Sequence, residues 1–96
     1  MGERNEVTSS TNFWKDVDKL PPKAQEKFAG LLEILASNPF DSRLHTKQLS
    51  TPLNGKYSFR ITRDWRVVFM FADHHIIKLL IAGSRNDIYR RLKRMI

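Results

Sequence analysis

Four side chains in the second half of this 96-residue sequence are of types that act on phosphates: Arg60, Arg66, Arg85 and Tyr89. A guanidinium stays charged, and its planar fork matches the geometry of phosphate oxygens. A phenol ordinarily keeps its proton up to a pH of about 10, and positive neighbours favour its phenolate form. Together these groups suit the cleavage of RNA, in which a 2′-hydroxyl attacks the adjacent phosphorus. That reaction needs the 2′ proton removed, the leaving 5′ oxygen protonated, and the charge growing on the phosphoryl oxygens neutralised. It needs no metal or other cofactor. Spacing alone leaves two alternatives open. The arginines bind phosphate without catalysis or pair with Asp64 and Asp87, and Tyr89 simply packs on a sheet.

The elements that must position these residues are legible as hydrophobic periodicity. Tyr57 to Thr62 alternates, with Tyr57, Phe59 and Ile61 on one face and Ser58, Arg60 and Thr62 on the other. Trp65 to Phe71 sets Trp65, Val67, Phe69 and Phe71 opposite Arg66, Val68 and Met70. Ile76 to Ala82 is apolar on both faces except at Lys78, as in a central strand. The turns Arg63-Asp64 and Asp73-His74 are short, so these strands predict an antiparallel meander. Residues 86–96 follow Gly83-Ser84 and read as a short basic helix. Arg85 and Tyr89 are four residues apart and share a face if helical. With adjacent strands about 5 Å apart, the three arginines are expected to converge at one end of the sheet with Tyr89 above them.

Upstream, Ser10 or Thr11 is a candidate cap for a helix through Leu20, with Phe13, Val17 and Leu20 at helical spacing. Pro21-Pro22 breaks it and opens a second helix, because proline is tolerated in a first turn. Its stripe is Ala24, Phe28, Leu31, Leu32 and Leu35, and Asn38-Pro39 ends it. Residues 39–56 read as a loop, and residues 1–10 as polar with at most a short strand around Val7-Thr8. The expected fold class is α+β: two N-terminal helices packed on one face of a small twisted antiparallel sheet, the other face polar, with a short basic C-terminal helix. Residues 1–96 read as one domain.

Charge is unevenly distributed. Residues 1–40 hold five Lys/Arg and six Asp/Glu, and residues 41–96 hold twelve and four, which together give the net charge of +7. A positive face of this kind fits a polyanionic partner. The sequence has no cysteine, which excludes disulfides and thiolate metal sites. Its longest apolar runs fall far short of the roughly 20 residues of a membrane span. The polar, mixed-charge start Met1 to Glu6 does not read as a signal peptide, so the expected location is the cytoplasm.

Three segments resemble the RelE/ParE superfamily of toxins: Tyr57-Ser58-Phe59-Arg60-Ile61, Trp65-Arg66-Val67-Val68-Phe69, and Ala82-Gly83-Ser84-Arg85-Asn86-Asp87-Ile88-Tyr89-Arg90. The upstream order resembles it as well: Lys19-Leu20-Pro21, a second helix, Asn38-Pro39, Lys47-Gln48-Leu49 and Leu53-Asn54-Gly55. The resemblance covers roughly residues 11–92. It implies a single RelE-like toxin domain that cleaves mRNA, typically on the ribosome. It also implies a cognate antitoxin, acidic or DNA-binding, from the same operon. By position, Arg66, Arg85 and Tyr89 match catalytic residues of the family and Arg60 a basic strand residue. Arg63, Lys56, Arg90, Arg91 and Arg94 are the further candidate RNA contacts. Ser58 stands where some RelE members have a basic residue. Two other functions suit the same fold: ParE-like inhibition of DNA gyrase, and RNA binding without catalysis.

Other residues invite weaker readings. His74 and His75 are adjacent and read as a solvated turn rather than a metal site. His45, in the long loop, is a possible proton carrier behind Tyr89. Trp14 and Trp65 read as core residues rather than platforms for stacked bases.

Overall fold

The computed structural model describes residues 4–94. Chain order is β1 (Glu6–Ser9), α1 (Phe13–Asp18), α2 (Pro22–Ser37), a 3-10 turn (Ser42–Leu44), β2 (Lys47–Gln48), β3 (Lys56–Arg60), β4 (Trp65–Asp73), β5 (Ile76–Ser84) and α3 (Arg85–Arg94). The α+β class is as expected, with the C-terminal helix beginning at Arg85. Met95 and Ile96, included in the expected helix, lie outside the described residues, as do the first three.

Helix α1 has no side-chain cap. Asn12 occupies the capping position without a side-chain hydrogen bond, rather than Ser10 or Thr11. The Phe13 amide instead donates to the Ser10 carbonyl at 3.2 Å. At the α1–α2 corner the Gln25 side-chain Nε2 donates to the Leu20 carbonyl at 2.9 Å and to the Asp18 carbonyl at 3.2 Å. These bonds satisfy carbonyls that the proline pair leaves without helical donors. Pro22 opens α2, as its fixed φ permits.

The sheet order is β1-β5-β4-β3-β2. The three-stranded meander forms as expected, and a short strand extends each edge. Strand β1 runs parallel to β5, with Val7 opposite Ile77, so the sheet is mixed rather than wholly antiparallel. Strand β2 pairs antiparallel with β3, Lys47 opposite Ser58. Two residues are too few to show alternation, which is why this segment reads as loop in the sequence.

One face of the sheet carries the main core. Phe28 of α2 stacks on Phe59 of β3 with ring centroids 6.4 Å apart, and Phe59 meets Phe69 of β4 at 6.0 Å. Phe13, Leu35 and Leu44 complete it from the helical side, all with no exposure. Trp14 departs from expectation. It lies edge-on to Phe13 and Phe28 but is 50% exposed, because α1 turns it to the rim of this layer.

The opposite face is not simply polar. A register shift at Val68/Phe69 pairs Val68 with Ile81 but Phe69 with Leu79. The extra residue, Leu80, breaks the alternation of β5. Leu79 and Ala82 therefore join the main core, while Leu80 and Ile81 face the other way. There they meet Val68, Ile88 and Leu92 of α3, and Leu49 and Leu53 of the preceding loop, in a second apolar layer. The sequence shows β5 as apolar on both faces. The structure shows that the second face is where α3 sits.

Candidate phosphate-binding pocket

The polar remainder of that second face lies beside α3. Arg60 ends β3 and Arg66 follows the first residue of β4, and the two are direct cross-strand partners. Side chains at such positions project from the same face about 5 Å apart. Arg85 opens α3, Tyr89 lies one turn further on, and Lys93 a turn beyond that. All five border one open cavity of about 690 Å3. Its other wall is the segment from His45 to Leu53, including Lys47 and Gln48.

Each wall has a local cause. The β3–β4 turn is tied to α3 by the Arg85 amide, which donates to the Asp64 carbonyl at 2.9 Å. Tyr89 packs its ring on the second apolar layer. His45 is delivered by the 3-10 turn, which it closes in a left-handed conformation at φ 50°. Asp41 caps that turn, accepting from the Arg43 amide at 2.9 Å and from its guanidinium at 3.0 Å. These bonds to Arg43 hold the Asp41 carboxyl down at about 2, so the cap persists until the pH falls through that value.

The pocket is positive and lacks an internal counter-charge. Among the described residues, the ion pairs are Arg4–Glu33, Arg43–Asp41 and Arg91–Asp16, so no carboxylate pairs with Arg60, Arg66 or Arg85. Among the described residues, no acidic side chain lines the cavity. The buried Nε atoms of Arg60 and Arg66, and the buried Ser58 hydroxyl two residues before Arg60 in β3, have no hydrogen-bond partner among the described residues. Burial, and then the neighbouring Arg60 guanidinium, push the Arg66 pKa down. Tyr89 opposes that shift and Arg85 adds to it, which places all four groups within one electrostatic neighbourhood. Buried donors without acceptors are costly, and like charges directly opposite across a sheet destabilise it. An oxyanion between the arginines would remove both costs.

The candidate RNA contacts divide. Arg60 lies in the pocket with Arg66, Arg85 and Tyr89. Arg63 lines an adjoining hollow of about 560 Å3, which shares Arg85 with the main pocket. Lys56 is at the far end of β3, opposite Met70, and does not line the pocket. Arg90 and Arg94 are exposed on α3 away from it. Arg91 is turned to the other side of the helix, where its guanidinium donates to Asp16 at 2.9 Å, so it is engaged within the protein rather than presented to a ligand.

Sequence reasoning placed Lys93 only within the basic run of the C-terminal helix, as a polyanion contact, and left Lys47 and Gln48 out of the site. Lys93 continues the four-residue spacing of Arg85 and Tyr89, a signal present in the sequence. Lys47 and Gln48 enter only through strand pairing. His74 and His75 form the β4–β5 turn, and the described residues contain no cluster of three or more potential metal ligands.

No protein-family model and no curated protein matches the chain. Solved structures do. The RelBE2 toxin–antitoxin complex of Mycobacterium tuberculosis matches at 25% identity and TM-score 0.71, over 85% of this chain and 99% of that one. The YoeB dimer of Staphylococcus aureus matches at 26% identity and TM-score 0.67, over 83% of this chain and 95% of that one. The RelB–RelE complex of Methanococcus jannaschii shares the fold at 19% identity and TM-score 0.72, over 88% of this chain and 98% of that one.

Three helices and a mixed five-stranded sheet match the fold of the RelE/ParE toxins. The chain is a RelE-like member of that superfamily. Among the described residues, no helix is long and apolar enough to cross a membrane.

Proposed function

We propose that the chain is the toxin of a type II toxin–antitoxin pair and that it cleaves messenger RNA on the ribosome without a metal ion. The observation that carries this reading is the convergence of Arg60, Arg66, Arg85 and Tyr89 on one open cavity with no carboxylate among the described residues to neutralise it. A cavity of about 690 Å3 is of a size that binds small-molecule ligands, so it has room for a scissile nucleotide. A purely structural arginine cluster is expected to be paired, and this one is not.

In the proposed reaction Arg60 and Arg66 hold the non-bridging phosphate oxygens. The Tyr89 oxygen takes the proton of the 2′-hydroxyl. The 2′ oxygen forms a bond to phosphorus while the bond from phosphorus to the 5′ oxygen breaks. Arg85 stabilises charge on the pentacoordinate phosphate and on the departing oxygen. His45, on the facing wall, is a proton donor for that oxygen, completing the balance. The products are a 2′,3′-cyclic phosphate and a 5′-hydroxyl. Lys47 and Lys93 extend the positive rim along which the strand would lie. The proposed partner in the resting cell is an antitoxin, acidic or DNA-binding, from the same operon.

The test is to induce the chain in bacteria and map mRNA ends, then repeat the cleavage with purified protein and ribosome-bound mRNA. Translated messages should break to leave 2′,3′-cyclic phosphate ends, and a chelator such as EDTA added to the protein alone beforehand should change nothing. Intact mRNA with gyrase-dependent DNA breaks would instead favour ParE-like inhibition. Salt-sensitive RNA binding without cleavage or growth arrest would favour a non-catalytic module.

A further inference from the structure

Outside the pocket, one buried carboxylate joins three elements. Asp16 of α1 is 8% exposed. Its Oδ2 accepts from the Ala82 amide of β5 at 3.1 Å and from the Arg91 guanidinium of α3 at 2.9 Å. Arg91 also donates to the Ala82 carbonyl at 3.4 Å. Arg91 is two residues from Tyr89, and at about 100° per residue the two point nearly opposite ways from the helix. Pulling on Arg91 therefore sets the rotation of α3, and with it the approach of Tyr89 and Lys93 to the pocket.

The rest of the anchorage of α3 is thin. Ile88 and Leu92 are its buried side chains, and the Arg85 amide fixes its start to Asp64. The apolar pair chooses the buried face of α3 but does not alone limit small rotations about its axis. The clamp does, because a charge-assisted bond to a buried acceptor has defined geometry.

We infer that Asp16 is a positioning residue for the pocket: by holding Arg91 it fixes the helix that carries Tyr89 and Lys93. The kinetic part of this inference rests on the proposed RNA cleavage. Arg91 acts here as an internal tie, not as a phosphate contact.

The experiment is a double-mutant cycle of Asp16→Asn, Arg91→Met and the pair, with the wild type alongside. Asparagine keeps an acceptor for the Ala82 amide and an isosteric shape, so the fold is retained. Each single variant should lower kcat roughly 10- to 100-fold, as small misplacements of reacting groups do, with KM within about threefold. The double variant should be no worse than the worse single one. The salt dependence of RNA binding should be unchanged in all three. Amide hydrogen exchange, which needs no catalysis, should rise in residues 86–94 while α2 and the sheet keep their protection.

Unchanged kcat and exchange in Asp16→Asn would overturn the inference. So would an Arg91→Met variant whose loss is confined to KM with a shallower salt slope, since that is the signature of a phosphate contact. Faster exchange in α3 in a chain whose wild type cuts no RNA would leave the clamp standing and remove the nuclease reading.

Discussion

Replacing Tyr89 by phenylalanine, or Arg85 by alanine, is expected to slow cleavage by at least about 100-fold while leaving a folded protein. For Tyr89→Phe the expected loss in single-turnover rate is about 10²- to 10⁴-fold, the usual range for removing a general acid or base. For Arg85→Ala it is about 10²- to 10³-fold, as for loss of one group that stabilises transition-state charge. Neither change should unsettle the fold. The phenylalanine ring can keep the contacts that Tyr89 makes with the second apolar layer. Arg85 is exposed, and the tie of α3 to Asp64 uses its backbone amide, which alanine retains. Both melting temperatures should therefore stay close to that of the wild type, and RNA affinity should fall only a few-fold in Tyr89→Phe. If both groups act on the same phosphate, the double variant should lose far less than the product of the single losses. Wild-type cleavage by either variant would remove that residue from the mechanism.

Arg66→Met should separate activity from stability in opposite directions. Arg66 is 9% exposed, directly opposite Arg60 across the strands, and its Nε has no acceptor. In the empty protein this is a poor arrangement, because charge is desolvated, repelled and unpaired at once. Methionine has a similar reach and is apolar. It should raise stability by about 1 kcal/mol, in the range found when buried charges give way to packed apolar groups. In a chain of this size that corresponds to about 4–8 °C in Tm. Cleavage should fall about 10²- to 10³-fold for want of an oxyanion donor. Thermal melts and single-turnover rates on the same preparations check both. A variant that loses stability along with activity would show that Arg66 holds the sheet together.

Much of this architecture is legible in the sequence because periodicity reports which face of each strand is wet. The apolar residues Tyr57, Phe59, Val67 and Phe69 mark the main-core face, and the arginines interleaved with them mark the pocket face. What the sequence hides is what depends on pairing at a distance. Lys47 and Gln48 are two polar residues in a polar stretch, and only their register against Tyr57 and Ser58 puts them on the rim. The bulge at Leu80 cannot be read from a strand that is apolar on both faces. Arg91 looks like its neighbours Arg90 and Arg94 in a basic run. Its role is decided by Asp16, seventy-five residues earlier in the chain. Trp14 falls at a helical core spacing, yet α1 is only six residues long and turns it to the rim.

The three pocket arginines make the folded state itself a sensor of its buffer. An anion that binds between them and not to the unfolded chain adds stability by mass action, about 2.7 kcal/mol when present at 100 times its Kd. Inorganic phosphate or sulfate should thus raise the melting temperature above that in chloride at equal ionic strength, and should compete with RNA. A partner protein that offers a carboxylate at the same spot would quiet the site and steady the molecule in one contact.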